Sequence, residues 1–196
     1  MERHELEELH YITSVANVPS IFQLGILSNR RAAKVDHVSV AAQAVQERRA
    51  KVKVPKGRRL HEYVNLYVCA RNPMMYLRKD KHAELCVLRV NTAVLDREGV
   101  VITDANAASD YTRFAPAPDG LKIVDRALTF AEYWTDPDPI EQWRKKSAKC
   151  AEVLVPDRVD PALIDGVYVS CSESSERFGE LGIRCEVSIN PHWFFR

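Results

Sequence analysis

The chain has 196 residues, of which 46% are hydrophobic and 28% charged, with a formal net charge of +1. That balance suits one soluble α+β-sized domain with a real core, and near-neutrality excludes a general positive coat for tight non-specific duplex binding. The charged start MERHELEELHYI does not read as a signal peptide, and no run approaches the roughly 18 apolar residues needed to cross a bilayer, so a cytoplasmic protein with no membrane association is expected.

In chain order, LHYIT reads as a short strand. A compact helix follows, with Asn17 as N-cap, Pro19 in the first turn and Gly25 at the C-terminal cap; Val18, Ile21, Phe22 and Leu24 should face the core. A second helix is expected after Asp36, with Val38, Ala41, Ala42 and Val45 on one stripe that Arg48 and Arg49 prolong. KVKVPKGRR, residues 51–59, reads as a flexible cationic loop. Strands are expected over 60–70, 84–90 and 99–103.

Residues 104–150 are rich in Asp, Pro and Lys, with helical islands at 125–134 and 139–149; long irregular excursions of this kind are often functional. Strand signals return at 151–155, 166–171 and 183–189, with a short helix from Ser174 to Leu181 closed by Gly182. Strands bunch early and late without βαβ alternation, which predicts one α+β domain over 1–196 with a mostly antiparallel or mixed sheet.

The cysteines (Cys69, Cys86, Cys150, Cys171, Cys185) are odd in number and scattered, which fits reduced thiols better than a disulfide framework. No pair has zinc-like spacing and His61-Glu62 lacks the second His of HExxH, so no metal is expected. There are 7 glycines and no GxGxxG, GxxxxGK[ST] or GxSxG, so any dinucleotide would be held without a Rossmann turn.

Glu152 opens the run AEVLV, where period-two alternation sets it on the face of Leu154, opposite Val153 and Val155. It is either a rim residue or a carboxylate held in a cleft, and periodicity does not choose between them. Arg48 and Arg49 are either a solvated helix end or phosphate ligands, since a guanidinium fork suits phosphate. Lys51, Lys53, Lys56, Arg58 and Arg59, followed by Tyr63, Tyr67 and Tyr76, combine charge with stacking faces, as single-stranded nucleic acid requires. Tyrosines in strands are more often core.

The order of segments resembles the DarT family of toxin-type ADP-ribosyltransferases, which modify bases in single-stranded DNA. The resemblance rests on HYITSVANVPSIFQLGIL, QERRAKVKVP, LHEYVNLYV followed by NPMMY, AASDYTRF, and KKSAKCAEVLV. It implies a split, mostly antiparallel ADP-ribosyltransferase sheet with peripheral helices and NAD⁺ in its central cleft. It further implies Glu152 as the catalytic carboxylate and Arg49 as the essential arginine. NAD⁺ contacts are expected from His10, Tyr11, Thr13, Asn17, Arg49, Tyr67 and Tyr76, with no metal.

Single-stranded DNA is expected along Arg48, Lys51, Lys53, Arg58, Arg59, Tyr111 and Arg113, and the excursion before Glu152 matches the family's acceptor loop. His10-Tyr11 stands where family members often read Tyr-His, and Ser14 and Ala16 stand where they often have His and Asp. The family setting implies an antitoxin partner with a macrodomain (DarG-like). Transfer to RNA or to a protein, or a binding module without activity, are the alternatives.

Overall fold

The computed structural model describes residues 1–195. β1 (Glu8–Ser14) leads into helix α1 (Val18–Leu24), the short strand β2 (Ile26–Leu27) and a single helical turn, α2 (Asn29–Ala32). Helix α3 (Gln43–Lys51) is followed by β3 (Tyr63–Tyr67), α4 (Pro73–Tyr76), β4 (Leu85–Asn91), β5 (Val101–Thr103) and β6 (Phe114–Pro116). The excursion carries α5 (Arg126–Phe130) and α6 (Pro139–Ala148). β7 (Glu152–Pro156), β8 (Arg158–Val159), β9 (Ile164–Val169), α7 (Ser172–Gly179) and β10 (Val187–Ile189) complete the chain.

Among the described residues these strands form an eight-stranded sheet in the order β10-β9-β4-β1-β3-β7-β5-β6, beside a small β2–β8 pair. Every neighbouring pair in the large sheet is antiparallel except β10–β9. The expected α+β class with a mostly antiparallel sheet is what the chain builds.

The central strands form because β-branched and apolar residues can be covered on both faces. Val64, Leu66, Leu88, Val90, Val153 and Val155 are buried in one large cluster on one face of the sheet. Ile12, Tyr67, Val87 and Phe194 pack together in a second cluster, and Tyr63 and Leu154 in a third with Val54 and Leu60. Burying each such side chain contributes roughly 1.5–3 kcal/mol before the entropy of ordering is subtracted.

Several expectations change in detail. The helix expected after Asp36 does not start there; residues 36–42 have no regular structure and α3 begins at Gln43. The Asn17 side chain is the reason. Its Nδ2 donates to the Val38 carbonyl (2.8 Å) and its Oδ1 accepts from the Val38 N–H (2.8 Å), so both main-chain groups of Val38 are taken. Asn17 holds the N-cap position of α1 but makes no capping bond, because its amide is spent on Val38 and on Thr13 Oγ1 (3.1 Å).

Leu24 is exposed, unlike Val18 and Ile21. The cationic segment is a closed turn: Lys53 bridges Arg59, Val54 N–H donates to Arg58 C=O, and Val54 is buried. The strand expected from Leu60 opens as a 3-10 turn, and the last strand is only Val187–Ile189. Sequence reading did not find β6, α2, α4 or the β2–β8 pair.

Candidate active site

The eight-stranded sheet is two half-sheets joined at one point. β1 pairs with β4 at every position from Glu8 to Ser14, but with β3 only at His10↔Tyr67. Beyond that bridge β1 and β3 diverge, and a cavity of about 620 Å³ opens between them. Tyr11, Thr13 and Asn17 line it from the β1 side, and Asn65 and Tyr67 from β3. Arg48 and Arg49 reach it from α3, and the segment around Val38, tied down by Asn17, covers it.

Glu152 is not itself among the residues that line this cleft; it lies behind the wall, beneath Arg49. In register it lies opposite Tyr67 on β3 and Thr103 on β5, so these three side chains share a face. Its N–H donates to Thr103 Oγ1 (3.2 Å), fixing the start of β7. The carboxylate is fully buried and accepts from Arg49 Nη1 at 3.0 Å on each oxygen, and from the Ala107 N–H at 3.3 Å. Arg49 lies over it and itself forms part of the cleft wall.

Burial pushes the Glu152 carboxyl above its ordinary range, while Arg49 and the Ala107 N–H pull it back. The Tyr67 phenol is pushed well up, by burial first and then by Glu152. Burial raises the Tyr11 phenol to about 12. At neutral pH both tyrosines therefore present O–H donors and no charge, leaving Glu152 and Arg49 as the ionic pair of the site.

Of the residues expected to hold NAD⁺, Tyr11, Thr13, Asn17, Arg49 and Tyr67 line the cleft. His10 and Tyr76 do not. The backbone of His10 forms the bridge to Tyr67, but its ring turns to Glu8 Oε1 (3.2 Å) and packs at 5.0 Å from Trp193. Tyr76 is exposed, edge-on to Trp134 and Phe195, with the Lys79 ammonium 5.0 Å from its ring.

Of the residues expected along DNA, Arg48 and Tyr111 line the cleft. Lys51 ends α3, and Lys53, Arg58 and Arg59 sit beyond it in the closed turn. Arg58 pairs there with Asp157 at 2.7 Å, and Arg59 donates to the Ala50 carbonyl. Arg113 pairs with Asp104 (2.7 Å) in a smaller neighbouring pocket of about 180 Å³. That pocket shares Ser109, Tyr111, Trp143 and Ser147 with the cleft, and Tyr111 stands edge-on to Trp143 at 6.0 Å.

Sequence reasoning missed Trp143, Asn65 and His61, all of which line the cleft. Burial, and then the neighbouring Arg49, hold the His61 imidazole below its usual range, and its Nε2 is buried without a hydrogen-bond partner in the structure. The only available signal for His61 was its place in LHEYVNLYV. Among the described residues, no group of three or more His, Cys, Asp or Glu could hold a metal ion, and no helix is long and apolar enough to cross a membrane.

Residues 10–195 match the family model described as ssDNA thymidine ADP-ribosyltransferase, DarT. The chain belongs to the DarT family. It is 30% identical over 208 residues to a DNA ADP-ribosyl transferase from Thermus sp. (strain 2.9), covering 95% of each chain. It is also 35% identical over 176 residues to a DNA ADP-ribosyl transferase–DNA ADP-ribosyl glycohydrolase fusion protein from Thermosipho africanus; the match takes in 85% of this chain and 43% of the fusion.

Two solved DarT-family structures carry the same fold. Thermus sp. 2.9 DarT in complex with ADP-ribosylated ssDNA superposes with a TM-score of 0.86 at 25% identity, covering 99% of both chains. Thermosipho africanus DarTG in complex with ADP-ribose gives 0.84 at 32% identity, over 96% of this chain and 51% of that one. The split sheet is thus the DarT ADP-ribosyltransferase fold.

Proposed function

We propose that this chain transfers ADP-ribose from NAD⁺ to a base of single-stranded DNA, thymine by the description of its family, with Glu152 as the catalytic carboxylate. The observation that carries the reading is the buried Arg49–Glu152 pair at the point where the two half-sheets part, in a chain that matches the DarT family over 10–195. Relatives of the same fold hold NAD⁺ and ADP-ribosylated ssDNA.

In the reaction the bond from the ribose anomeric carbon to the nicotinamide nitrogen breaks, and nicotinamide leaves as a neutral molecule. A bond forms from that carbon to a base nitrogen, which loses its proton. The transition state has oxocarbenium character and needs negative charge beside the ribose and positive charge beside the diphosphate. Glu152 supplies the first. Only Nη1 of Arg49 engages Glu152, which leaves its remaining N–H groups for phosphate.

Glu152 acts on the nicotinamide ribose hydroxyl and takes the proton from the attacking base, a role suited to a carboxyl that burial has made more basic. Tyr11, Thr13, Asn17 and Tyr67 hold the nicotinamide end. The acceptor strand enters past Arg48, Tyr111 and Trp143, with the smaller pocket beside Arg113 taking a flanking part of it. A partner able to remove the modification, a macrodomain-type glycohydrolase, is consistent with the fusion relative.

Purified protein, NAD⁺ and a panel of single-stranded DNA and RNA oligonucleotides test this by intact mass. One ADP-ribose added to thymidine-containing DNA is expected. Transfer only to RNA, transfer only to protein, or none at all would each overturn the reading.

A further inference from the structure

Lys149 is a lysine with no solvent exposure, and among the described residues it has no carboxylate partner within ion-pair distance. Lysine is almost never fully buried unless paired, because an ammonium removed from water costs several kcal/mol. Its Nζ instead donates to two main-chain carbonyls, Thr129 (3.1 Å) and Ala131 (2.5 Å), at the end of α5. Thr129 is itself fully buried and returns a bond, Oγ1 to the Ala148 carbonyl at 3.2 Å. α5 is thereby fastened from both sides to the 148–149 joint.

That joint is where α6 runs into the catalytic strand. Lys149 N–H closes the last turn of α6 on Lys145, Cys150 N–H bonds Ser147, Ala151 N–H bonds Ala148, and the next residue is Glu152. α6 carries Trp143, Lys146 and Ser147 into the cleft. Without the ammonium, the Thr129 carbonyl would be left unsatisfied in a buried setting and the Ala131 carbonyl in a half-buried one, and α5 would lose its side-chain fastening to the joint that precedes Glu152.

We propose that Lys149 is the positioning residue of the acceptor side: it sets the 126–148 segment at a fixed distance from Glu152, so that the incoming base meets the carboxylate. This rests on the transfer to single-stranded DNA proposed above. The contact needs N–H donors and no net charge, and burial, the largest influence on the group, already favours the neutral amine. A neutral lysine amine still has two protons to give. The neighbours Cys69 and Cys150 oppose that shift and Arg71 adds to it.

The test is steady-state kinetics of Lys149→Met, which keeps the chain length and removes the donors, with KM measured separately for oligonucleotide and NAD⁺. Thr129→Val is the second variant, since it removes only the return bond and keeps the volume. For Lys149→Met, a rise in oligonucleotide KM of about tenfold or more is expected while KM for NAD⁺ stays within about twofold; Thr129→Val should move the same way by a smaller factor. A merely structural lysine would lower the melting temperature and leave that ratio alone. A folded Lys149→Met with an unchanged ratio, or with both KM values rising together, overturns the proposal. Should Lys149→Met not fold, an unchanged ratio in Thr129→Val overturns it. Wild-type protein that modifies no oligonucleotide overturns the transfer reading itself, which the intact-mass assay shows separately.

Discussion

Arg49 and Glu152 neutralise one another in a place where neither could stand alone. Replacing Glu152 with Gln keeps the shape and an acceptor for Arg49 but removes the negative charge. Transfer should then fall by about 10³-fold, with the far-UV spectrum and melting temperature little changed. Residual transfer within about tenfold of wild type would remove Glu152 from the mechanism. Arg49→Ala should cost more stability, because it leaves a carboxyl uncompensated in the central strand, which cannot move to reach water. A loss of about 2–4 kcal/mol is expected at pH 7. The sign of its pH dependence follows from burial, which already raises Glu152 and would then meet only the Ala107 N–H. A folded-state pKa above the unfolded one confers relative stability below the unfolded value, lost as pH rises through the folded one. The deficit of Arg49→Ala should therefore shrink as pH falls toward about 4.5; a constant deficit in denaturant titrations from pH 4.5 to 8 would contradict the buried-charge account.

At the scale of elements, chain punctuation predicted more than residue type did. Gly25 was legible as a helix cap. It has φ +86°, and a Cβ there would lie 2.3 Å from the Val159 carbonyl oxygen, so α1 can hand over to the β2–β8 pair only through glycine. Gly25→Ala should destabilise by about 2 kcal/mol or more; a chemical melt within about 0.5 kcal/mol of wild type would show that the turn relaxes cheaply. The period-two pattern of AEVLV was equally legible, and Leu154 and Val153 do face different clusters. The helix expected after Asp36 was not, because a side chain 21 residues earlier claims both main-chain groups of Val38, and no local pattern reports that. The same limit separates His10 from Tyr11. Alternation puts them on opposite faces, but only the assembled sheet shows that β1 and β3 part immediately after His10, so that the cleft opens on Tyr11 and Thr13. Of the stripe that Arg49 was expected to prolong, only Val45 lies on α3, so the spacing from Val45 to Arg49 was the one part of that reading that survives, and the partner 103 residues away was legible only through the family's order of segments.

The whole molecule depends on two half-sheets that share a single bridge, so whatever stiffens each half sets the width of the cleft. In the β1 half that work falls to a polar cluster on the face carrying His10. Glu8 accepts from Arg89 Nε (2.7 Å) on β4 and lies 3.2 Å from His10 Nε2, while Arg89 reaches Glu186 (3.3 Å) ahead of β10 and lies 5.1 Å from the Tyr168 ring on β9. Glu8 and Arg89 together thus tie β1, β4 and β9 to one another and to the residue just ahead of β10. Burial works to raise the Glu8 pKa, but its hydrogen bonds with His10 and Arg89 outweigh it and hold the group down to about 2. A carboxyl depressed on folding contributes stability that is fully present above its unfolded value and is lost as pH falls through its folded value. Because Glu8 is only half-buried, solvent screening reduces that contribution to about 1–2 kcal/mol. Glu8→Gln should accordingly be less stable than wild type at pH 7, and the two urea curves should converge between about pH 4.5 and 2. Curves that stay apart at pH 2 would mean that packing, not charge, makes the difference. Because the cluster braces β1 on the side away from Thr13, the same variant should also weaken NAD⁺ binding modestly without touching any residue of the cleft, which calorimetry of wild type and Glu8→Gln at pH 7 would read directly.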